Sequence, residues 1–235
     1  MRRKSHYLPI IFLIFLCHFV TGQAVASEEK WTEKKLGKVI IKADKAAERK
    51  QWSRAIKYGE QVLEGSLALD KRSDARYNNL LKNVNGYYEK SNRLKEIFPR
   101  IEEAYKLSRN NLGTGHKTTV TSRLLYYKIL IPQKKYLEAI TLVQENISTL
   151  KKNKEDDFKL LHFLKQLYSL YGRTAQYEKE EETLVTLLAL NKRLLGQDIK
   201  ENINIILSLA RTYCLQKKNK EFEELMNSYN LDYEC

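Results

Sequence analysis

The sequence has few of the residues that interrupt helices. Three prolines and nine glycines are spread over 235 residues, and no stretch rich in glycine, serine or proline divides the chain. That leaves no flexible linker between domains. Reactive chemistry is equally thin. There is no HExxH, no GxSxG, no phosphate-cradling glycine loop and no CxxC. Only four histidines occur, at 6, 18, 116 and 162, and neither His116 nor His162 has a cysteine or histidine at zinc-ligand spacing. No metal site, cofactor site or catalytic residue is assigned. Of the three cysteines, Cys17 lies in an apolar leader. Cys214 and Cys235 remain, an even number suited to an oxidising compartment. They can pair with each other, or Cys235 can pair with another chain.

One long apolar run exists, Ile10 to Val20, and its 11 residues are too few for a spanning helix of about 20. Arg2, Arg3 and Lys4 precede it and Ala24-Val25-Ala26 follows, the order of a cleaved signal peptide. Ile14-Phe15-Leu16 is too bulky to precede a lipidated cysteine at Cys17. The expectation is a signal peptide over 1–26 and a single repeat domain over 27–235. The protein is then exported, periplasmic or secreted, with no transmembrane segment in the mature chain. Removing the leader lowers the net charge from +13 to +10. Lysine and glutamate are interspersed, as between Glu28 and Lys50, which marks solvated helix faces and not a nucleic-acid footprint.

What fills the chain is leucine, lysine, glutamate, alanine and asparagine in helical periodicity. Leu160, Leu161, Leu164, Leu167, Tyr168 and Tyr171 share one stripe, and so do Ile205, Ile206, Leu209, Ala210 and Tyr213. No period-two strand pattern is present, so the mature chain reads as all-α. A polar turn followed by an aromatic or leucine recurs with anchors at Trp52, Leu94, Tyr136, Tyr177 and Phe222, spaced 42, 42, 41 and 45 residues apart. Each period reads as a helical hairpin whose second helix starts at the anchor. Stacking of neighbouring hairpins completes the core. Leu112-Gly113 and Leu195-Gly196, 83 residues apart, mark ends of second helices, where glycine supplies a left-handed cap. Joints between hairpins are expected near 72, 115, 155 and 198. Pro99 falls inside a second helix and requires a kink or a restart near Phe98. Pro132 ends a first helix.

The stretch Gln51-Trp52-Ser53-Arg54-Ala55-Ile56-Lys57-Tyr58 resembles the turn and second helix of a tetratricopeptide (TPR) repeat. Leu112-Gly113 through His116 and Val120 to Tyr136-Leu137-Glu138-Ala139 is similar to the longer, kinesin-light-chain type. Lys117 stands where that type often has proline. The resemblance spans roughly 33 to 230 and implies a right-handed α-solenoid of about five hairpins, with a groove lined by first helices.

By period alignment, the outward residues of those helices include Asp44, Lys82, Glu89, Lys128, Lys165, Arg173 and Arg211. The basic set Lys82, Lys128, Lys165, Arg173 and Arg211 suits an acidic peptide or a free carboxyl terminus, although the same charges could merely solubilise the surface. Other polar residues have structural readings. His116 sits at a helix start, His162 in a core or on a surface, and Asp156-Asp157 at a helix N-terminus. The run Glu178, Glu180, Glu181 and Glu182 reads as a solvated face, and Tyr126, Tyr127, Tyr168 and Tyr171 as packing between hairpins. Asn146-Ile147-Ser148 matches a glycosylation sequon. Three functional readings stay open: a non-catalytic scaffold for a protein or peptide, a structural subunit docking into an envelope assembly by its convex or terminal faces, and an all-α envelope hydrolase. The terminal segment Phe222 to Tyr233 could cap the stack or form an interface.

Overall fold

A computed structural model describes residues 30–72, 74–153, 156–196 and 199–235. The proposed leader, 1–26, lies outside them. Trp31–Cys235 forms one compact unit. Among the described residues there are ten α-helices and no strand: α1 (Glu33–Glu48), α2 (Trp52–Ala68), α3 (Ala75–Lys90), α4 (Phe98–Leu112), α5 (Lys117–Leu130), α6 (Tyr136–Asn153), α7 (Asp157–Arg173), α8 (Tyr177–Leu195), α9 (Ile199–Gln216) and α10 (Asn219–Tyr229). The odd-numbered first helices and even-numbered second helices pair into five hairpins. Each helix packs on the next in order, and α3 also meets α5. All four joints fall where the period places them, between α2 and α3, α4 and α5, α6 and α7, and α8 and α9.

Two kinds of turn produce this order. Inside every hairpin, one non-glycine residue adopts the left-handed conformation: Lys50, Asn92, Lys134, Ala175 and Lys217. Around each, two N–H groups reach back to the preceding helix. Lys50 N donates to Ala47 O and Gln51 N to Ala46 O, and the same pair of bonds recurs at the other four turns. This Schellman arrangement satisfies carbonyls that the helix end would otherwise orphan, and so offsets the left-handed cost. The spacing of these residues is 42, 42, 41 and 42. That corrects the fifth anchor: α10 begins at Asn219, not near Phe222. Asn219 lacks the aromatic or leucine found at the other anchors, and the next ring in sequence is three residues on. Between hairpins the first exit repeats this arrangement, with Asp70 N on Leu67 O and Lys71 N on Ser66 O, and two later exits differ. Gly113 (φ 81°, ψ 166°) and Gly196 (φ 96°, ψ −180°) lie in a region open essentially to glycine alone, so their role is wider than a left-handed cap.

Side chains start the first helices. Thr32, Asp74, His116 and Asp156 accept from Lys35, Arg76, Thr118 and Phe158 N–H groups at 2.8–3.1 Å, caps worth about 1 kcal/mol each. Pro99 sits in the first turn of α4 after a 3-10 turn over Leu94–Ile97, so the helix restarts at Phe98 and no helical hydrogen bond is lost. A core runs continuously from Ile56 to Met226. A smaller cluster of Leu36, Val39, Ala43 and Val62 joins it through Leu80 and Tyr87. Tyr126 and Tyr171 are buried in that core and Tyr127 and Tyr168 pack against it. At the far end the tail turns back: the rings of Tyr233 and Phe222 lie 6.1 Å apart, and a disulfide joins Cys235 to Cys214 of α9 with Cα atoms 5.4 Å apart.

Candidate functional site

The five left-handed turns give a common register for the first helices. Ten residues before them stand Ile40, Lys82, Leu124, Lys165 and Leu207; six before, Asp44, Gly86, Lys128, Ser169 and Arg211; two before, Glu48, Lys90, Pro132, Arg173 and Leu215. Positions four apart share a helix face, and none of these fifteen residues is buried. The five basic residues singled out from the sequence therefore do lie on one stripe of successive first helices. Lys82 and Lys165 hold the same repeat position, as do Lys128 and Arg211. The first repeat contributes Asp44 and Glu48 instead, so the stripe begins acidic and turns basic.

Their surroundings divide them. Lys128 pairs across the repeat joint with Glu89 of α3. Arg211 lies 2.7 Å from Glu180. The Arg173 guanidinium sits 5.4 Å from the Tyr136 ring centre, an exposed contact worth about 0.5–1 kcal/mol. Lys82 and Lys165 have no ion-pair partner among the described residues, and neither have Lys90 and Lys117. Lys117, at the first position of α5, faces Lys82, and the pair is uncompensated. Partial burial of Lys82 and this second cation lower its ammonium below the usual lysine range. The sequence reading missed Lys117, although its place at the joint is where a first helix brings a cation beside the preceding one.

Glu180 corrects another expectation. It belongs to no solvated run: its side chain is fully buried, with one oxygen on Arg211 and the other without a hydrogen-bond partner. Burial pushes its carboxyl above the ordinary glutamate range, and Arg211 opposes that shift. The equivalent second-helix positions hold Ala55, Ile97, Ala139 and Phe222. Gly172 makes the room, since a Cβ there would stand 2.7 Å from the Glu180 carboxylate and 3.1 Å from the Arg211 guanidinium. Glu181, beside it, accepts from Lys218 and Gln216.

His116 is a helix cap, as above, and His162 is exposed beside Gln166. Among the described residues no group of histidine, cysteine and carboxylate side chains converges as a metal site. No described helix is long and apolar enough to cross a membrane. The stripe offers separated cations over a surface of exposed polar and aliphatic side chains.

Ten helices in five hairpins with this register, among the described residues, make the chain a TPR-like repeat protein, an α-solenoid. Solved structures agree. A kinesin-light-chain-like array of nearly identical TPR-like repeats from Podosopora anserina superposes with a TM-score of 0.58 at 16% identity, covering 82% of this chain and 92% of that one. BtubC (BKLC) from P. vanneervenii gives a TM-score of 0.50 at 13% identity, over 86% and 94% of the two chains. At such identities the likeness is one of fold. No protein-family model matches the chain, and no curated protein matches it.

Proposed function

We propose that this chain is an exported scaffold that binds an acidic protein or peptide segment along the basic stripe of its first helices. The observation that carries the reading is the uncompensated Lys82, Lys117 and Lys165 on successive first helices. Buried or matched charges serve the fold. Lysines left facing one another across a joint repel, and an anionic guest relieves that repulsion. Arg211, held by a buried carboxylate, keeps one edge in solvent and adds a fixed donor at the far end of the stripe.

Each exposed contact contributes only a few tenths to about 1 kcal/mol, so affinity is a sum and falls with salt. Lys82→Glu with Lys165→Glu is the informative pair, because reversing Lys128 would set two carboxylates against each other at Glu89. Pull-down from the native envelope, after crosslinking, should lose the partner with the double variant while the unfolding free energy stays within about 0.5 kcal/mol of wild type. Unchanged capture would remove the stripe as the binding face. Export makes a separate expectation: the mature protein starts at Ser27, and exported material starting near Met1 would contradict it.

A further inference from the structure

The repeat register reveals a second periodicity, of two hairpins. Gly113 and Gly196 end α4 and α8, 83 residues apart. Beside each of these joints a cleft opens between consecutive second helices. The first, of about 510 Å³, lies between α4 and α6. The second, of about 590 Å³, lies between α8 and α10. Both are within the size range of sites that hold a ligand group. Their linings correspond position by position at the same interval of 83: Arg109 with Lys192, Glu138 with Glu221, and Leu142 with Leu225. A tyrosine of the intervening first helix lines each, Tyr126 of α5 or, one turn further along, Tyr213 of α9.

In both clefts the bases are already engaged within the chain. Lys106 donates to Glu102 at 2.6 Å. Arg109 donates to Glu145 at 3.0 Å, and the fully buried Arg123 lies 3.3 Å from that same carboxylate. Tyr105 also donates to Glu145. In the second cleft Ser228 stands in place of Glu145, and Lys192 turns onto Tyr229 instead, donating to its hydroxyl with the ammonium 4.9 Å from the ring centre. What each cleft leaves over is the glutamate in the first turn of its downstream helix. Glu138 accepts from the Tyr126 hydroxyl at 2.8 Å, and its one ion pair among the described residues is with Lys135 at 3.8 Å, with half of its side chain in solvent. Glu221 is exposed and has no hydrogen bond or ion pair among the described residues. Burial first, and nearby carboxylates second, hold the Tyr126 and Tyr213 phenols above their ordinary range.

We propose that the second-helix face is a bivalent docking surface for a basic protein segment. Each cleft takes one lysine or arginine side chain, its aliphatic stem along Leu142 or Leu225 and its charged head on Glu138 or Glu221. The occupant is set by charge: Glu138 and Glu221 have no hydrogen-bonded base among the described residues, whereas the bases that line the clefts, Lys106, Arg109 and Lys192, are each bonded within the chain. Two matching sites at a fixed separation select a partner carrying two basic side chains, because the second contact forms at the high effective concentration that the first creates. This surface is independent of the first-helix stripe.

The test uses the purified chain and blocked, fluorescein-labelled peptides. One series carries two arginines joined by Gly-Ser linkers of graded length, and the controls carry one arginine or two glutamates. Anisotropy should show the two-arginine peptides binding at least about tenfold tighter than the single-arginine peptide at a favoured linker length. Glu138→Gln or Glu221→Gln should each reduce affinity to the single-arginine level, and the double variant should abolish it. Lys82→Glu with Lys165→Glu should leave it intact. Should Glu138→Gln disturb the Tyr126 contact, Glu221→Gln alone still decides, because that side chain makes no hydrogen bond or ion pair among the described residues. Equal or absent binding of arginine and glutamate peptides at every linker length would overturn the proposal. Full affinity in Glu221→Gln would overturn it too.

Discussion

The two faces of the array solve their charge in opposite ways. On the second-helix side, bases are matched across the joints: Arg100 with Glu60 at 2.8 Å, Arg109 with Glu145 at 3.0 Å, and Lys192 with the Tyr229 ring. These contacts tie one repeat to the next and leave over a few carboxylates. On the first-helix side Lys82, Lys117 and Lys165 are left over instead. The difference teaches that net charge is a poor guide to what a solenoid presents. A chain of formal charge +13 leaves lysines uncompensated on one face and, on the other, clefts in which Glu138 and Glu221 have no hydrogen-bonded base among the described residues, and each follows from which charges the joints have already matched.

The comparison breaks first if charges on both faces matter equally to folding. Arg123, 0% exposed, lies under the first cleft and donates to Asn146 Oδ1 and to the Thr114 carbonyl, both at 2.6 Å. Its removal strands the buried Asn146 Oδ1 and takes one cation from Glu145, which keeps Arg109 and Tyr105. Arg123→Ala should therefore cost about 3–5 kcal/mol in denaturant unfolding, against under about 0.5 kcal/mol for the exposed Lys165→Glu. Similar losses for the two would end the distinction.

The end of the array is where the faces are tied together, since Cys214 belongs to a first helix and Cys235 to the tail that passes α10. Closing 21 residues adds roughly 3 kcal/mol in the chain-entropy model. Cys235→Ser should lower stability by about that amount, and intact mass without reductant should show no free thiol in the mature monomer. Two free thiols would remove the tie.

Smaller, but sharper in sign, is the Gly172 site. Glycine to alanine inside a helix ordinarily stabilises by about 1 kcal/mol. Here Gly172→Ala should destabilise by about 1–3 kcal/mol, because its Cβ meets the buried Glu180 carboxylate. In a Glu180→Ala background, which matches Ala55 and Ala139, the same change should become neutral or favourable. An unchanged penalty would mean that the clash lies elsewhere.

The smallest effect concerns pH. The Glu180 carboxyl is raised on folding, so the folded chain binds a proton more tightly than the unfolded one. That contribution is fully present below the ordinary glutamate value and is lost as pH rises through the folded value. Wild type should gain stability relative to Glu180→Gln as pH is lowered from neutral. Parallel pH profiles would contradict the assignment.

Architecture was legible because it depends on repetition. The four joints follow from anchors that each repeat prints as an aromatic or leucine, and Pro99 announces its own helix restart. The fifth anchor misled because Asn219 carries no ring, while the feature that sets the register, a left-handed residue two positions earlier, is lysine, alanine or asparagine and leaves no compositional mark. The basic stripe was legible as a stripe. Which of its members remain uncompensated was not, since Lys128 meets a carboxylate 39 residues away and Arg211 one 31 residues away. Glu180 was misread for a related reason: in a run of glutamates, only packing against Gly172 shows which one turns inward.

The central claim is that the two faces bind opposite charge. Two titrations of the isotope-labelled chain, followed by amide NMR, test it in one measurement, the first with a blocked hexaglutamate peptide and the second with the two-arginine peptide. The glutamate peptide should shift amides around Lys82, Lys117, Lys165 and Arg211 on the first helices, and the arginine peptide those around Glu138, Leu142, Glu221 and Leu225 on α6 and α10. Shifts from both peptides on the same helices, or from the glutamate peptide on the second helices, would contradict it.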